Sequence, residues 1–219
     1  MRGQIDHLMW ACADLDRGMQ AMAEMTGVAP APGGPHPGFG TRNALADLGR
    51  QRYLEIIAPD PEQALENNLG GELSRLEAPY LRTWAIRVDD LTSTRDSLGS
   101  LGFDPRGPTA MSRALPSGEL ISWELLFLSH EDYIARSAGS GQLGSAGVLP
   151  FFIDWKSSPH PCTNLEPGCA LETLQIETPE PSRLERLAEE FALDVGIRAG
   201  ASDRLRATLS TPRGTVVLD

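Results

Sequence analysis

Apolar residues recur along this chain in two rhythms, every second position and every third to fourth, and the rhythms alternate. Ile5, Leu8, Met9 and Trp10 make residues 5–11 a strand, while Met19, Met22 and Met25 lay one apolar stripe along the helix that follows. Asp14 or Asp16 is placed to cap that helix and Gly27 to end it. The Pro- and Gly-rich residues 30–40 read as a loop, and residues 44–48 and 53–57 as strands on either side of a turn at Gly49. The same order then returns. Trp84, Ile86 and Val88 alternate on a strand, Asp89 or Asp90 opens a helix through Leu91, Leu98 and Leu101, and Gly102 closes it. Residues 110–115 and 120–128 follow as strands around the turn Pro116-Ser117-Gly118.

Between these two units, Pro61 and the stripe Leu65, Leu69, Leu73 and Leu76 predict a helical connection over 61–76. A Gly/Ser-rich linker comes after the second unit. Residues 149–155 read as one more strand. The tail begins the pattern a third time, with a strand at 171–177, a helix at 182–191 opened by a Ser182 to Glu185 capping box, and paired strands at 205–210 and 215–218. The expected division is paired modules over 1–135 (module one 1–60, a helical connection 61–78, module two 79–130), a linker at 136–147, and an additional strand with a partial third βαββ module over 148–219. The fold class is α+β. Each unit has one apolar sheet face to bury, and two related sheets curving toward each other leave a cleft.

Composition narrows the function. At 219 residues the chain is long enough to bury a substantial core without a metal or a disulfide to hold it. A net charge of −11 argues against a nucleic-acid partner, because Arg204 and Arg206 form no extended basic track. No stretch is long and apolar enough to span a bilayer, and the first dozen residues lack the uninterrupted apolar run of a signal peptide. Cys12, Cys162 and Cys169 are an odd set that builds neither a disulfide framework nor a four-ligand zinc site, so reducing, cytoplasmic surroundings are expected.

Three segments carry a resemblance. Ile5-Asp6-His7-Leu8, the run from His36 through Gly38, Gly40 and Asn43 to Ala44, and Tyr53-Leu54-Glu55-Ile56-Ile57 together resemble the glyoxalase-like group of the vicinal oxygen chelate superfamily. The resemblance implies repeated βαβββ modules forming a curved mixed sheet around a cavity, with metal ligands on the first and last strands of each module. It places His7 and Glu55 as ligands from module one, and Glu124, within Ser122-Trp123-Glu124-Leu125-Leu126, as the ligand on module two's last strand. On the first strand of module two the match falls on Thr83 or Trp84, neither a strong ligand, which argues against methylglyoxal-glutathione isomerisation. His7, Glu55 and Glu124 suit a divalent Zn, Mn, Fe, Co or Ni ion that polarises neighbouring substrate oxygens, with Glu55 and Glu124 as the acid or base.

Four further residues are expected to meet the substrate. His36 and Asn43 lie on a loop that the resemblance places near the cavity mouth. Trp84 would supply an apolar wall, and Arg82, two residues earlier on the strand, would share its face and meet a carboxylate. His130 and His160 read as exposed loop histidines. The expected function is a glyoxalase-like lyase, isomerase or dioxygenase acting on a small molecule with neighbouring oxygens, with homo-oligomerisation left open. The alternatives are a non-catalytic small-molecule binding protein and a structural, self-assembling one.

Overall fold

The computed structural model describes residues 2–114, 120–128 and 147–219. The turn at Pro116-Ser117-Gly118, His130 and nearly all of the expected linker lie outside the described residues. The first unit runs β1 (Gln4–Ala11), α1 (Leu15–Thr26), β2 (Ala31–His36), β3 (Thr41–Asp47) and β4 (Tyr53–Pro59). After the short α2 (Leu69–Leu73), the second runs β5 (Tyr80–Arg87), α3 (Leu91–Ser100), β6 (Pro105–Ala114), β7 (Leu120–Leu128) and β8 (Phe151–Asp154). Their eight strands form one mixed sheet in the order β2-β3-β4-β1-β5-β8-β7-β6. The sheet curls until its edge strands, β2 and β6, touch.

The caps are those the sequence predicts. Asp14 accepts from the Arg17 amide at 2.9 Å at the start of α1, Asp90 accepts from the Thr92 and Ser93 amides at the start of α3, and Gly27 takes φ 81° to end α1. Elsewhere the structure departs from expectation. Residues 31–36 are a strand rather than a loop: β2 is an edge strand, where Pro32 and Pro35 cost no ladder hydrogen bond in the sheet interior. Only Leu69–Leu73 of the expected connection is helical.

The strand at Phe151–Asp154 belongs with module two, not with the tail. It pairs parallel with β5 as β4 pairs parallel with β1, so each half is a complete βαβββ unit whose fourth strand lies beside its first. The internal symmetry can be read from matching hydrogen bonds: the Cys12 amide donates to the Ile57 carbonyl, and the Val88 amide to the Ile153 carbonyl, each at 3.0 Å.

The tail builds a separate sheet from β9 (Ala170–Thr178), α4 (Pro181–Glu190), β10 (Gly196–Ala199), β11 (Arg204–Thr211) and β12 (Gly214–Leu218), in the order β10-β9-β11-β12. It does not repeat the pairing of the first two units. Its first strand runs parallel to its second, β10, and the expected capping box is absent, since α4 opens on Glu180 and Pro181 without a side-chain cap. Leu174, Ile176, Leu205 and Ala207 of this sheet join Leu8, Ile56, Trp84 and Phe152 of the large sheet and the helices in one core. The tail therefore shields the helix side of the large sheet and leaves its concave face to the cavity. Among the described residues the exposed large apolar side chains are Met25, Leu120 and Val217, on three different elements. No helix of the described residues is long and apolar enough to cross a membrane.

Candidate active site

The concave face encloses a cavity of about 530 Å³, within the roughly 300–1,000 Å³ range of small-molecule sites. His7, Glu55, His36, Asn43 and Arg82 all line it. Strand alternation explains this for β1 and β4: His7 and Glu55 face inward, while Leu8, Leu54 and Ile56 enter the helix-side core.

Two β-bulges set the remaining geometry. The β1–β5 register slips between Ile5 and His7, leaving Asp6 as the extra residue, and again between Thr83 and Leu81, leaving Arg82. These are the same position in the two halves, six residues before Cys12 and Val88 respectively. The bulge turns Asp6 beneath His7, where it is fully buried. It accepts from Nδ1 of His7 at 2.7 Å, Nε1 of Trp155 at 3.1 Å and Nε2 of His160 at 3.0 Å. Burial opposes ionisation of Asp6, but the hydrogen bonds from His160 and His7 outweigh it and hold the carboxyl well below the usual carboxylate range.

An ionised Asp6 only accepts, so Nδ1 of His7 carries a proton, and in the neutral ring the Nε2 lone pair is presented to the cavity. Tyr53 stacks on the His7 ring at 4.6 Å and Phe151 meets it edge-on at 5.3 Å, which fixes its plane. Nε2 lies 3.6 Å from Oε2 of Glu55. The other Glu55 oxygen, Oε1, accepts from Asn43 Nδ2 at 2.7 Å. Asn43 is itself oriented by the Gly34 amide, which donates to its Oδ1, and its Nδ2 also lies 3.2 Å from Nε2 of His36.

Glu124 and Trp84 are placed differently from expectation. Glu124 lies on β7, the third strand of its module, and faces away from the cavity. There it pairs with Lys156 at 2.6 Å beside its strand neighbour Asp154, while Trp123 and Leu125 face inward. Trp84 is buried in the helix-side core with its indole N–H on the Val148 carbonyl, and the bulge at Arg82 separates the two residues onto opposite faces. Arg82 reaches the cavity but spends its guanidinium on Tyr80 and Glu72.

The internal symmetry tests the metal centre. Counting back from the matched hydrogen bonds, His7 corresponds to Thr83 and Glu55 to Phe151. The second half thus offers a hydroxyl that already donates to the Leu149 carbonyl at 3.3 Å, and a phenyl ring. Among the described residues no group of three His, Cys, Asp or Glu side chains is placed to share one ion. His7, Glu55 and His36 line the cavity but are not placed to share one ion, and open metal sites use three protein ligands, so these residues do not fit the expected centre.

Asp6 and His160 are site residues that the sequence reading does not assign to the site. Asp6 sits inside the Ile5-Asp6-His7-Leu8 segment, and a charge in an apolar strand was the available signal. His160, expected to be exposed, has an 8% exposed side chain, and its other nitrogen accepts from the Cys162 amide at 3.3 Å. Cys162 packs against the cavity-side core, and burial pushes its thiol up to about 12, so it supplies no thiolate.

Residues 5–192 match the glyoxalase-like domain family. The crystal structure of a hypothetical protein from Staphylococcus aureus superposes with a TM-score of 0.68 over 99% of both chains at 16% identity, a likeness of fold. Methylmalonyl-CoA epimerase from Mycobacterium tuberculosis aligns at 22% identity over 73% of this chain and 91% of its own, with a TM-score of 0.47. A methylmalonyl-CoA epimerase in complex with methylmalonyl-CoA and NH4+ aligns at 18% identity over 74% and 100%, with a TM-score of 0.48. No curated protein matches the sequence. With two βαβββ halves curled around one cavity and a family match across most of its length, the chain belongs to the glyoxalase-like domain family.

Proposed function

We propose that this protein is a small-molecule enzyme of the isomerase or lyase type that works by proton transfer, with His7 as the general base. The observation that carries the reading is the Asp6–His7 pair. A buried carboxylate holds the imidazole by Nδ1, and the free Nε2 faces Glu55 inside a largely apolar cavity. On taking a proton from a bound substrate, His7 becomes an imidazolium beside Asp6, and low surrounding polarity strengthens that attraction. The electron pair left on the substrate moves onto its adjacent oxygen-bearing group. Returning the proton at a neighbouring atom completes an isomerisation, whereas departure of a leaving group completes a lyase step. Glu55, held by Asn43, accepts a hydrogen bond from the substrate and keeps it oriented.

The test is deuterium exchange. A panel of hydroxy-carbonyl compounds incubated with the protein in D2O and followed by proton NMR is expected to show loss of signal at the carbon beside the oxygen. The rate is expected to fall roughly 10²- to 10⁴-fold in His7→Gln, the usual contribution of a positioned base. If compounds bind and none exchanges, the enzymatic reading fails. The apolar wall formed by Trp123, Leu125 and Phe127 then favours the second reading, a non-catalytic binding protein.

A further inference from the structure

The cavity has two unlike halves, and their difference names the kind of molecule it takes; the inference rests on the reading of His7 and Glu55 as the working end of the site. The first half contributes the polar groups His7, His36, Thr41, Asn43 and Glu55 beside the apolar Met9, Leu45 and Ile57, and the second contributes the wall Met111, Trp123, Leu125, Phe127, Phe151 and Ile153. The contrast is sharpest at the symmetry-matched positions, where Phe151 stands opposite Glu55 in the internal alignment and Thr83 opposite His7. The polar groups of the second half are turned to other work. Thr83 donates to Leu149, Arg82 to Tyr80 and Glu72, and the exposed Arg106 pairs with Asp104.

The polar end also has a definite hydrogen-bonding sense. In its neutral form His7 gives its one proton to Asp6, which leaves Nε2 an acceptor. Glu55 Oε1 is taken by Asn43, which leaves Oε2 an acceptor as well. The two face each other at 3.6 Å, too far to bond and with no proton to share in that state. Among the described residues Glu55 has ion-pair contacts with His7 and His36 and with no lysine or arginine. A ligand atom about 2.8 Å from each acceptor closes a triangle on that 3.6 Å side, provided it brings a hydrogen to each. A carboxylate or phosphate head would set a third acceptor against these two.

We propose that the cavity binds a molecule with an aromatic body and a hydrogen-bond-donating head, a protonated amine, which has a hydrogen for each acceptor. The head sits between Nε2 of His7 and Oε2 of Glu55, and the ring lies among Trp123, Phe127 and Phe151. Aromatic side chains at offset or tilted angles, such as Phe127 and Phe151 at 5.8 Å, accommodate a further ring. A hydroxyl head has one hydrogen and satisfies only one of the two acceptors, whereas an amine head, protonated at neutral pH, donates to both and answers the Glu55 charge.

Isothermal titration calorimetry at neutral pH with 4-ethylphenol, 2-phenylethylamine, ethylbenzene and 3-phenylpropanoate tests this directly. The amine is expected to bind at least tenfold tighter than ethylbenzene, with the phenol between them and the carboxylate weakest. Glu55→Gln is expected to erase the advantage of the amine and His7→Phe that of the phenol, whereas Trp123→Ala weakens every probe; thermal melts confirm that each variant is folded. Equal or tighter binding of ethylbenzene or the carboxylate overturns the proposal, as does the absence of binding by all four probes to folded wild type. Donor-headed probes that bind while no compound shows deuterium exchange overturn the proton-transfer reading alone. Exchange on a compound without a donor head, bound as tightly as the amine, overturns this one alone.

Discussion

Thr83 stands in the second βαβββ half where His7 stands in the first, five residues before the amide that closes each half's first strand onto its fourth. The fold thus repeats its backbone and not its chemistry. Polar groups gather at one end of the cavity, and the end that would complete a metal centre is a hydroxyl and a ring.

Restoring the missing donors is expected to create metal affinity. Protein purified without chelator is expected to hold well under one metal ion per chain by inductively coupled plasma mass spectrometry at micromolar free Zn or Mn. The double variant Thr83→His, Phe151→Glu should approach one, because four N and O donors then converge. Stoichiometric metal in the wild type, lost in His7→Ala, would contradict this account of the site.

Glu124 and Glu55 are expected to behave oppositely. Glu124→Ala removes a partly exposed pairing to Lys156 and should cost under about 1 kcal/mol in urea unfolding, with probe affinities unchanged within a factor of two. Glu55→Gln should alter probe affinity more than tenfold. Equal effects would mean that Glu124 reaches the cavity.

Asp6 makes stability depend on acid. Its folded pKa lies below the unfolded value of 3.8, so the unfolded chain takes the proton more readily. The stabilisation is complete above that unfolded value and is lost as pH falls through it toward the folded one. Asp6→Asn sets an amide donor against donors from His7, His160 or Trp155 and should cost roughly 1–3 kcal/mol at neutral pH, a gap that narrows below about pH 4. A gap of the same size at pH 3 and pH 7 would show that Asp6 is not an ionised acceptor.

His160 acts as a neutral donor. Its Nδ1 accepts from the Cys162 amide, so its proton sits on Nε2 and points at Asp6. His160→Gln can retain that donor, whereas His160→Phe leaves both partners short and should cost about 1–3 kcal/mol more by urea unfolding. Equal stability of the two variants would remove the hydrogen bond from the account.

Gly33 secures Asn43 by having no side chain. A Cβ there would overlap Oδ1 of Asn43. Gly33→Ala is therefore expected to displace the amide from Glu55 and weaken binding of the amine probe several-fold while leaving ethylbenzene unchanged. Unchanged amine binding would show that Glu55 keeps its orientation without Asn43.

Local pattern alone was enough for α1, α3 and most strands of both halves, though not for the edge strand β2, because period-two and period-three-to-four apolar spacing with Asp caps and terminal Gly is a short-range signal. It also placed His7, Glu55, His36 and Asn43 within reach of one another through the resemblance of three neighbouring segments, all in the first half. Tertiary structure decided what alternation cannot. Periodicity says that neighbours on a strand face opposite ways, but not which way, and one bulged residue reverses the answer, as it does between Arg82 and Trp84. The fourth strand of module two is identified only by its parallel pairing with β5, and that pairing moves the ligand position from Glu124 to Phe151. His160 meets Asp6 across 154 residues, a separation that no local rule spans. The sequence by itself determined the repeated units and the polar half of the cavity. Chain pairing and the two bulges decided which side chains complete it, because facing direction is a property of the sheet and not of the strand.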